Sequence, residues 1–580
     1  MNPYLSSQVV RRLAERFRRL YGDAAERCLA RLAMLVGRYG IEADLAAQPP
    51  PPWDHKTALL ITYGDMLRGP AESPLATLKR FLDAHLAGLC SHVHLLPFFP
   101  YSSDDGFAVV HYRQVHPDLG SWEEVEAIGE RFGLAVDLVL NHVSRQSKWF
   151  HEYTQGIAPA RHYFIEADPE ADLSAVSRPR SSPLLTPVAT RDGPRHVWTT
   201  FSADQVDLNY ANPDVLFEIL DILLLYISKG ARIIRLDAVA YLWKTPGTRC
   251  LHLPETHEIV KVLRDVLALV APDVLLLTET NVPHEENVSY FGEGDEAHMV
   301  YQFALPPLIL HAFLSGSSQA LQAWAAGLAD PPAGGTFLNF TASHDGIGLR
   351  PIEGLMEEEA LAWLIARIQD SGGRVSMGKG PGGALRPYEL NTTWFDALNG
   401  VRGRSADLQC RRFLSSQAVM LGLRGVPAIY FNSLFGARND HVLAEKTGLA
   451  RSLNRTKWEA ADLERLINHP PACERLIWEG YRGLLRARAA HPAFHPDGRQ
   501  TVLDAGDGVF AFTREAPAGG ERMLCVTNVG AVERGLGAEM LDGCDLGPGS
   551  GADCLTDLPL QWRGDTLVLE PFQTLWIALP

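Results

Sequence analysis

The sequence predicts an α/β fold: a (β/α)8 barrel with inserted loop domains and a C-terminal all-β domain, preceded by an N-terminal helical segment. Three observations predict it. Short, near-continuous apolar runs recur between residues 58 and 431, the pattern of parallel strands covered on both faces. Helical patterns lie between them, for instance over 213–229 and 256–270, so strands and helices alternate. The number of runs approaches eight, which favours a closed barrel over an open sheet.

Residues 1–50 form the first expected unit. Val10, Leu13, Phe17 and Leu20 fall at helical spacing in a basic segment, and "QPPPPW" at 48–53 breaks the pattern and marks a boundary. The strand-like runs are then "ALLITY" (58–63), "HVHLLPFFP" (92–100), "LAVDLVLNH" (134–142), "ARIIRLDAV" (231–239), "VLLLTET" (274–280), "TFLNFTASHD" (336–345) and "VPAIYF" (426–431). Residues 143–205 and 346–400 are too long for simple crossovers and read as insertions, the second carrying the Gly-rich "SGGRVSMGKGPGG". Long loops at one end of such a barrel carry function. From 495 onward, short β-type runs with Gly turns predict a small all-β unit. The expected division is therefore 1–50, 51–494 and 495–580.

Composition narrows the function. With 46% hydrophobic and 21% charged residues in 580, the chain has the make-up of a soluble globular protein. A formal net charge of −16 argues against a nucleic-acid or anionic-membrane surface. The eight cysteines are scattered without a C-x-x-C pair, which favours reduced thiols over a metal knuckle or disulfide framework. No secretory signal and no run long enough to span a membrane is present. The expectation is a cytoplasmic enzyme or binding protein with no metal and no cofactor.

Within "ARIIRLDAVAYLWK" (231–244), Arg235 and Asp237 interrupt a strand interior. Two apart, they share a face, and charges inside a core are costly unless they pair or do chemistry. Polar residues recur at other strand ends: Asp104 and Asp105, Asn141 and His142, Glu279, and His344 with Asp345. Each alone has an ordinary reading as a helix cap, turn residue or satisfied histidine. Together, at four or more strand ends of one barrel, they converge on the mouth where such folds react. Converging carboxylates there fit glycosyl transfer, one as nucleophile at the anomeric carbon and one as acid then base.

"DLVLNH", "IRLDAVAYLWK", "TET" and "SHDG", with "QVDLNY" (205–210), resemble the signature segments of the α-amylase family, glycoside hydrolase family 13. The resemblance implies Asp237 as nucleophile, Glu279 as acid/base and Asp345 as transition-state stabiliser, with Arg235, His142, His344 and Gln205 at the sugar or its nucleophile. "HVHLLPFFPYSSDDGF", "SRPRSSPLLTP", "PYELNTTWFDAL" and "ARSLNR" are similar to the sucrose phosphorylase subfamily. That implies an α-glucoside and inorganic phosphate as partners, with retention. Asp104 and Arg451 would hold the far hydroxyls of glucose, Phe107 and Phe201 its apolar wall, and Arg180 and Tyr388 the phosphate or acceptor.

The segment departs from sucrose phosphorylases proper at "LRPYELN", where Arg386 and Glu389 replace an acidic residue and a Gln. Arginine beside the acceptor suits a carboxylate, and the long N-terminal segment resembles that of the glucosylglycerate phosphorylases. The implied reaction is reversible phosphorolysis of 2-O-α-D-glucosyl-D-glycerate. Phosphorolysis of sucrose, sucrose 6'-phosphate or glucosylglycerol, and plain α-glucoside hydrolysis, are the alternatives. His111, in "HY", stands where the family usually has an acidic residue.

Overall fold

A computed structural model describes residues 7–40, 52–379, 384–400, 405–469, 473–541 and 543–580. The prolines at 49–51 and the glycine-rich residues 380–383 lie outside the described residues. Eight parallel strands close a barrel: β1 (Leu59–Thr62), β2 (His92–Leu95), β3 (Gly133–Val139), β4 (Ala231–Asp237), β5 (Leu275–Thr278), β6 (Met299–Tyr301), β7 (Thr336–Asn339) and β8 (Val426–Tyr430). Each pairs with its sequence neighbours, and β8 closes on β1. Seven strands coincide with the apolar runs read from sequence. The eighth, β6, is only three residues long (Met-Val-Tyr), too short for periodicity to report.

Helices end and begin where local chemistry dictates. In the helix before β4, α3 (Pro213–Ser228), the Asn212 side chain accepts the Asp214 N–H and proline takes the first position, where its missing N–H costs nothing. Its apolar positions are buried apart from half-buried Leu225, and Gly230, with φ +89°, turns the chain into β4. α4 (Pro254–Val270) likewise starts on proline and buries Ile259, Val262, Leu263 and Val266.

The N-terminal segment is a helical hairpin, α1 (Ser7–Tyr21) and α2 (Ala25–Tyr39), laid against α3 and α4. Leu13, Phe17 and Leu20 are buried while Val10 stays at the rim. Arg16 is buried and paired, its Nε 2.7 Å from Asp265 Oδ2 on α4 and its Nη2 3.1 Å from Asp295. The first insertion carries the hairpin Leu185–Thr190 with Gly193–Trp198, and the second the antiparallel strands Arg374–Lys379 and Leu385–Asn391. A bridge between Arg178 and Lys379 joins the two insertions over the barrel mouth. Beyond the long helix Cys473–Ala490, four antiparallel strands (Arg499–Leu503, Val509–Glu515, Arg522–Asn528, Thr574–Leu579) form the C-terminal sheet, with a three-stranded sheet beside it. The cysteines are free, and no helix among the described residues is long and apolar enough to cross a membrane.

Candidate active site

The charged pair inside β4 belongs to a chain of contacts across three neighbouring strands. Arg235 Nη1 lies 3.1 Å from Asp237 Oδ1 and also contacts Asp137, its register partner on β3. Asp137 in turn meets His94 Nε2 of β2 at 2.7 Å. All four side chains are buried, so each charge needs these partners to offset its desolvation. Burial alone would raise the Asp137 pKa, but Arg235 and His94 outweigh it and hold the carboxyl down to about 2. Arg235 is thus fixed from behind, and its contact with Asp237 is aimed.

Immediately after Asp237, Ala238 adopts φ +53°, a left-handed conformation that costs a non-glycine residue ~1–3 kcal/mol. The turn brings the Ala238 N–H to donate to Glu279 Oε2 at 3.2 Å, tying the end of β4 to the residue beyond β5. Burial raises the pKa of Asp237, Arg235 opposes it, and Glu279 and Asp345 add to the rise. Glu279 is also raised, chiefly by burial and then by Asp345. The two carboxyls titrate as a pair. Arg235 contacts Asp237 directly, whereas Glu279 accepts one backbone N–H and meets Arg235 and Arg451 only at longer range, an asymmetry that favours charge on Asp237 and the proton on Glu279. That is the division of labour a nucleophile and an acid require.

Asp345, past β7, is arranged differently. Burial would raise its pKa, but Arg451, Arg455 and Arg235 together hold it below the usual carboxylate range. Arg451 Nη1 lies 2.5 Å from Asp345 Oδ1, while its Nε and Nη2 grip Glu389 at 3.0 and 2.8 Å. Glu389 also accepts the Gly346 N–H at 2.7 Å. Glu389, expected to bind phosphate or acceptor, is therefore engaged as the support of Arg451 and of the loop carrying Asp345. Its buried carboxylate is satisfied by those two partners.

The same pocket brings together Asp104, Phe107, His142, Arg180, Phe201, Gln205, His344, Tyr388 and Arg451. Phe107 stacks on His344 with ring centroids 4.8 Å apart and planes 4° from parallel. His142 Nε2 donates to Phe107 O at 2.9 Å, and Gln205 Nε2 donates to Asp104 Oδ2 at 3.3 Å. Asp104 and Asp105 both have positive φ, and Asp105 is paired with Arg455 at 2.5 Å, so only Asp104 faces the pocket. Burial lowers the pKa values of His142 and His344, leaving neutral imidazoles. Phe201 packs on His142 at 5.2 Å, with the Arg180 guanidinium over its ring at 5.8 Å.

Asn281 and Phe303 also line the pocket and were not anticipated. Asn281 stands two residues past Glu279 and shares its parity, a signal present in the sequence; its buried Oδ1 has no hydrogen-bond partner among the described residues. Phe303 follows β6, the strand too short to read. Beneath the pocket, Lys244 Nζ meets Asp207 Oδ2 at 2.6 Å and donates to Asn141 Oδ1 at 2.8 Å. Asn141 therefore braces the strand end and its neighbour His142.

Arg386 is not in this pocket. It is exposed and lines an adjoining cavity, with Tyr388 as the shared wall. A register shift marks the change: Ser376 faces Glu389 but Met377 faces Pro387, leaving Tyr388 as an extra residue. The bulge falls where the strand passes from its exposed half, Leu385–Pro387, to its buried half, Tyr388–Asn391.

A family model described as the catalytic domain of α-amylase matches residues 88–325. The chain is 48% identical to a glucosylglycerate phosphorylase of Spirochaeta thermophila over 83% of its own length and 82% of that protein's. It is 44% identical to a glucosylglycerate phosphorylase of Allomeiothermus silvanus, over 96% of both chains. In fold it resembles the crystal structure of sucrose 6F-phosphate phosphorylase from Thermoanaerobacter thermosaccharolyticum, with a TM-score of 0.72 and 23% identity over 84% of this chain and 96% of that one. Barrel order, carboxylate placement and full-length relatives agree, and the chain belongs to the α-amylase family, glycoside hydrolase family 13.

Proposed function

We propose that the chain is a retaining phosphorylase that interconverts 2-O-α-D-glucosyl-D-glycerate and phosphate with α-D-glucose 1-phosphate and D-glycerate, acting in the cytoplasm on small molecules. The observation that carries this reading is Arg180. It lines the pocket of Asp237, Glu279 and Asp345, and among the described residues it has no carboxylate within ion-pair distance. Its relatives in Spirochaeta and Allomeiothermus support the same substrate pair.

In the first half-reaction Asp237 attacks the anomeric carbon as the bond to glycerate breaks, and the Glu279 proton goes to the departing oxygen. Asp345, kept ionised by its arginines, stabilises the positive charge that develops on the sugar. In the second half-reaction a phosphate oxygen attacks the same carbon from the face glycerate left, Asp237 departs, and Glu279 accepts the proton that phosphate loses. Glycerate and phosphate are both anions and occupy that face in turn. One fixed cation serves both, whereas a hydrolase's water has no use for it.

The test is to incubate glucosylglycerate with and without phosphate and identify the products. Sugar release that requires phosphate and yields the α-anomer of glucose 1-phosphate supports the reading. Equal glucose release in phosphate-free buffer makes the chain a hydrolase, and an inverted product removes Asp237 as nucleophile.

A further inference from the structure

The cavity behind Tyr388 lies between the two insertions and has a volume of about 390 Å³. Five cationic residues line it, Arg178, Arg249, Arg350, Lys379 and Arg386, against two acidic ones, Glu286 and Glu353. This excess of positive charge sits in a chain whose formal net charge is −16. The cations are unequally engaged. Arg249 is paired with Glu286 at 2.9 Å, and Arg350 reaches Glu353 only at 3.9 Å. Arg178 is buried, and its guanidinium donates to the carbonyls of Thr200 and Ser182 rather than to any carboxylate. Burial lowers the Arg178 pKa to about 10, which leaves the charge in place at neutral pH. Among the described residues, Lys379 and Arg386 have no carboxylate within ion-pair distance.

From this arrangement, and resting on the phosphorylase reading above, we propose that the cavity is an anion antechamber. It binds a small oxyanion, inorganic phosphate or a 2-hydroxy carboxylate, through Lys379, Arg386 and Arg350 before the anion passes Tyr388 to Arg180. The physical need is clear from the pocket itself. In the glucosyl-enzyme that each anion meets, Glu279 and Asp345 are both ionised beside the reacting carbon, and they repel the anion unless its path is lined with opposite charge. Tyr388 is the common wall, packed so closely on the neighbouring strand that a Cβ built on Gly378 would lie 3.3 Å from its ring. Tyr388, Lys379 and Arg386 stand on the same bulged strand pair, so the two chambers are adjacent by construction.

The experiment compares the whole enzyme with Lys379→Ser and with Lys379→Ser/Arg386→Ser. Three arms are read: KM for phosphate in phosphorolysis, KM for glycerate in synthesis, and hydrolysis of α-glucosyl fluoride, a neutral donor whose use of water needs no added anion. The double variant should raise both anion KM values at least fivefold, with kcat and fluoride hydrolysis within twofold of the parent. A rise for one anion alone assigns the chamber to that anion. Parental KM values for both overturn the proposal while leaving the reaction intact. A parent that makes no glucose 1-phosphate overturns the reaction instead. In that event, phosphate titrated calorimetrically into Arg180→Ala, with and without the two serine substitutions, still decides the antechamber: binding must persist in the first protein and vanish in the second.

Discussion

Asp237 and Glu279 share one buried mouth but must hold opposite protonation states, and the contacts around them supply the asymmetry. Arg235 reaches Asp237 from behind, and Glu279 receives only the Ala238 N–H. Asp237→Asn should lower turnover by at least about 10⁴-fold, as loss of a covalent catalyst does. Glu279→Gln should be as severe for glucosylglycerate but mild for the first half-reaction of glucosyl fluoride, whose leaving group needs no proton. The pH profile follows from the same pair. The reactive form has Glu279 protonated, so activity falls as pH rises through the pair's loss of that proton. Because burial raises Glu279, this alkaline limb lies above the ordinary carboxylate range. Rates of glucosylglycerate phosphorolysis should show the limb in the parent, whereas the first half-reaction of glucosyl fluoride, whose leaving group needs no proton, should lack it.

At the scale of elements, the strand ends were legible and the loops were not. Apolar runs closing on Asp, Glu or His announce where a parallel barrel keeps its polar residues, which is why the strand-end positions of Asp237, Glu279, Asp345, His142 and His344 are legible in the sequence. Arg386 could not. It stands on the exposed half of its strand, before the bulge at Tyr388 where burial begins, and a bulge has no mark in the sequence "LRPYELN". Glu389 lines the pocket, and its grip on Arg451, 62 residues away, likewise has no mark in the local sequence. Arg180, on the first insertion, does reach the pocket. Arg180→Ala should lower kcat/KM for phosphate by roughly tenfold to a hundredfold, the worth of a charge-assisted bond of about 1.5–3 kcal/mol. Hydrolysis of glucosyl fluoride measured in the same protein should change little, because water carries no charge.

Across the whole molecule, the N-terminal hairpin stands far from the chemistry and acts through packing. Phe17 is fully buried and stacks on Phe217 of α3 at 6.0 Å, while Arg16 is held by Asp265 and Asp295. Phe17→Ala should cost about 3–5 kcal/mol in urea unfolding if the hairpin and barrel unfold together, with activity per folded molecule unchanged. The helical spacing of Leu13, Phe17 and Leu20 gave the helix; that it packs on α3 and α4 depends on contacts some 200 residues away. The central claim is that a pocket of three carboxylates takes anionic partners on its acceptor side, and initial rates of synthesis from α-D-glucose 1-phosphate test it most directly. Offered D-glycerate, D-fructose and glycerol at equal concentration, the enzyme should glucosylate D-glycerate much faster than either neutral acceptor, and Arg180→Ala should erase most of that preference. Faster transfer to fructose or glycerol by the parent enzyme would contradict the account.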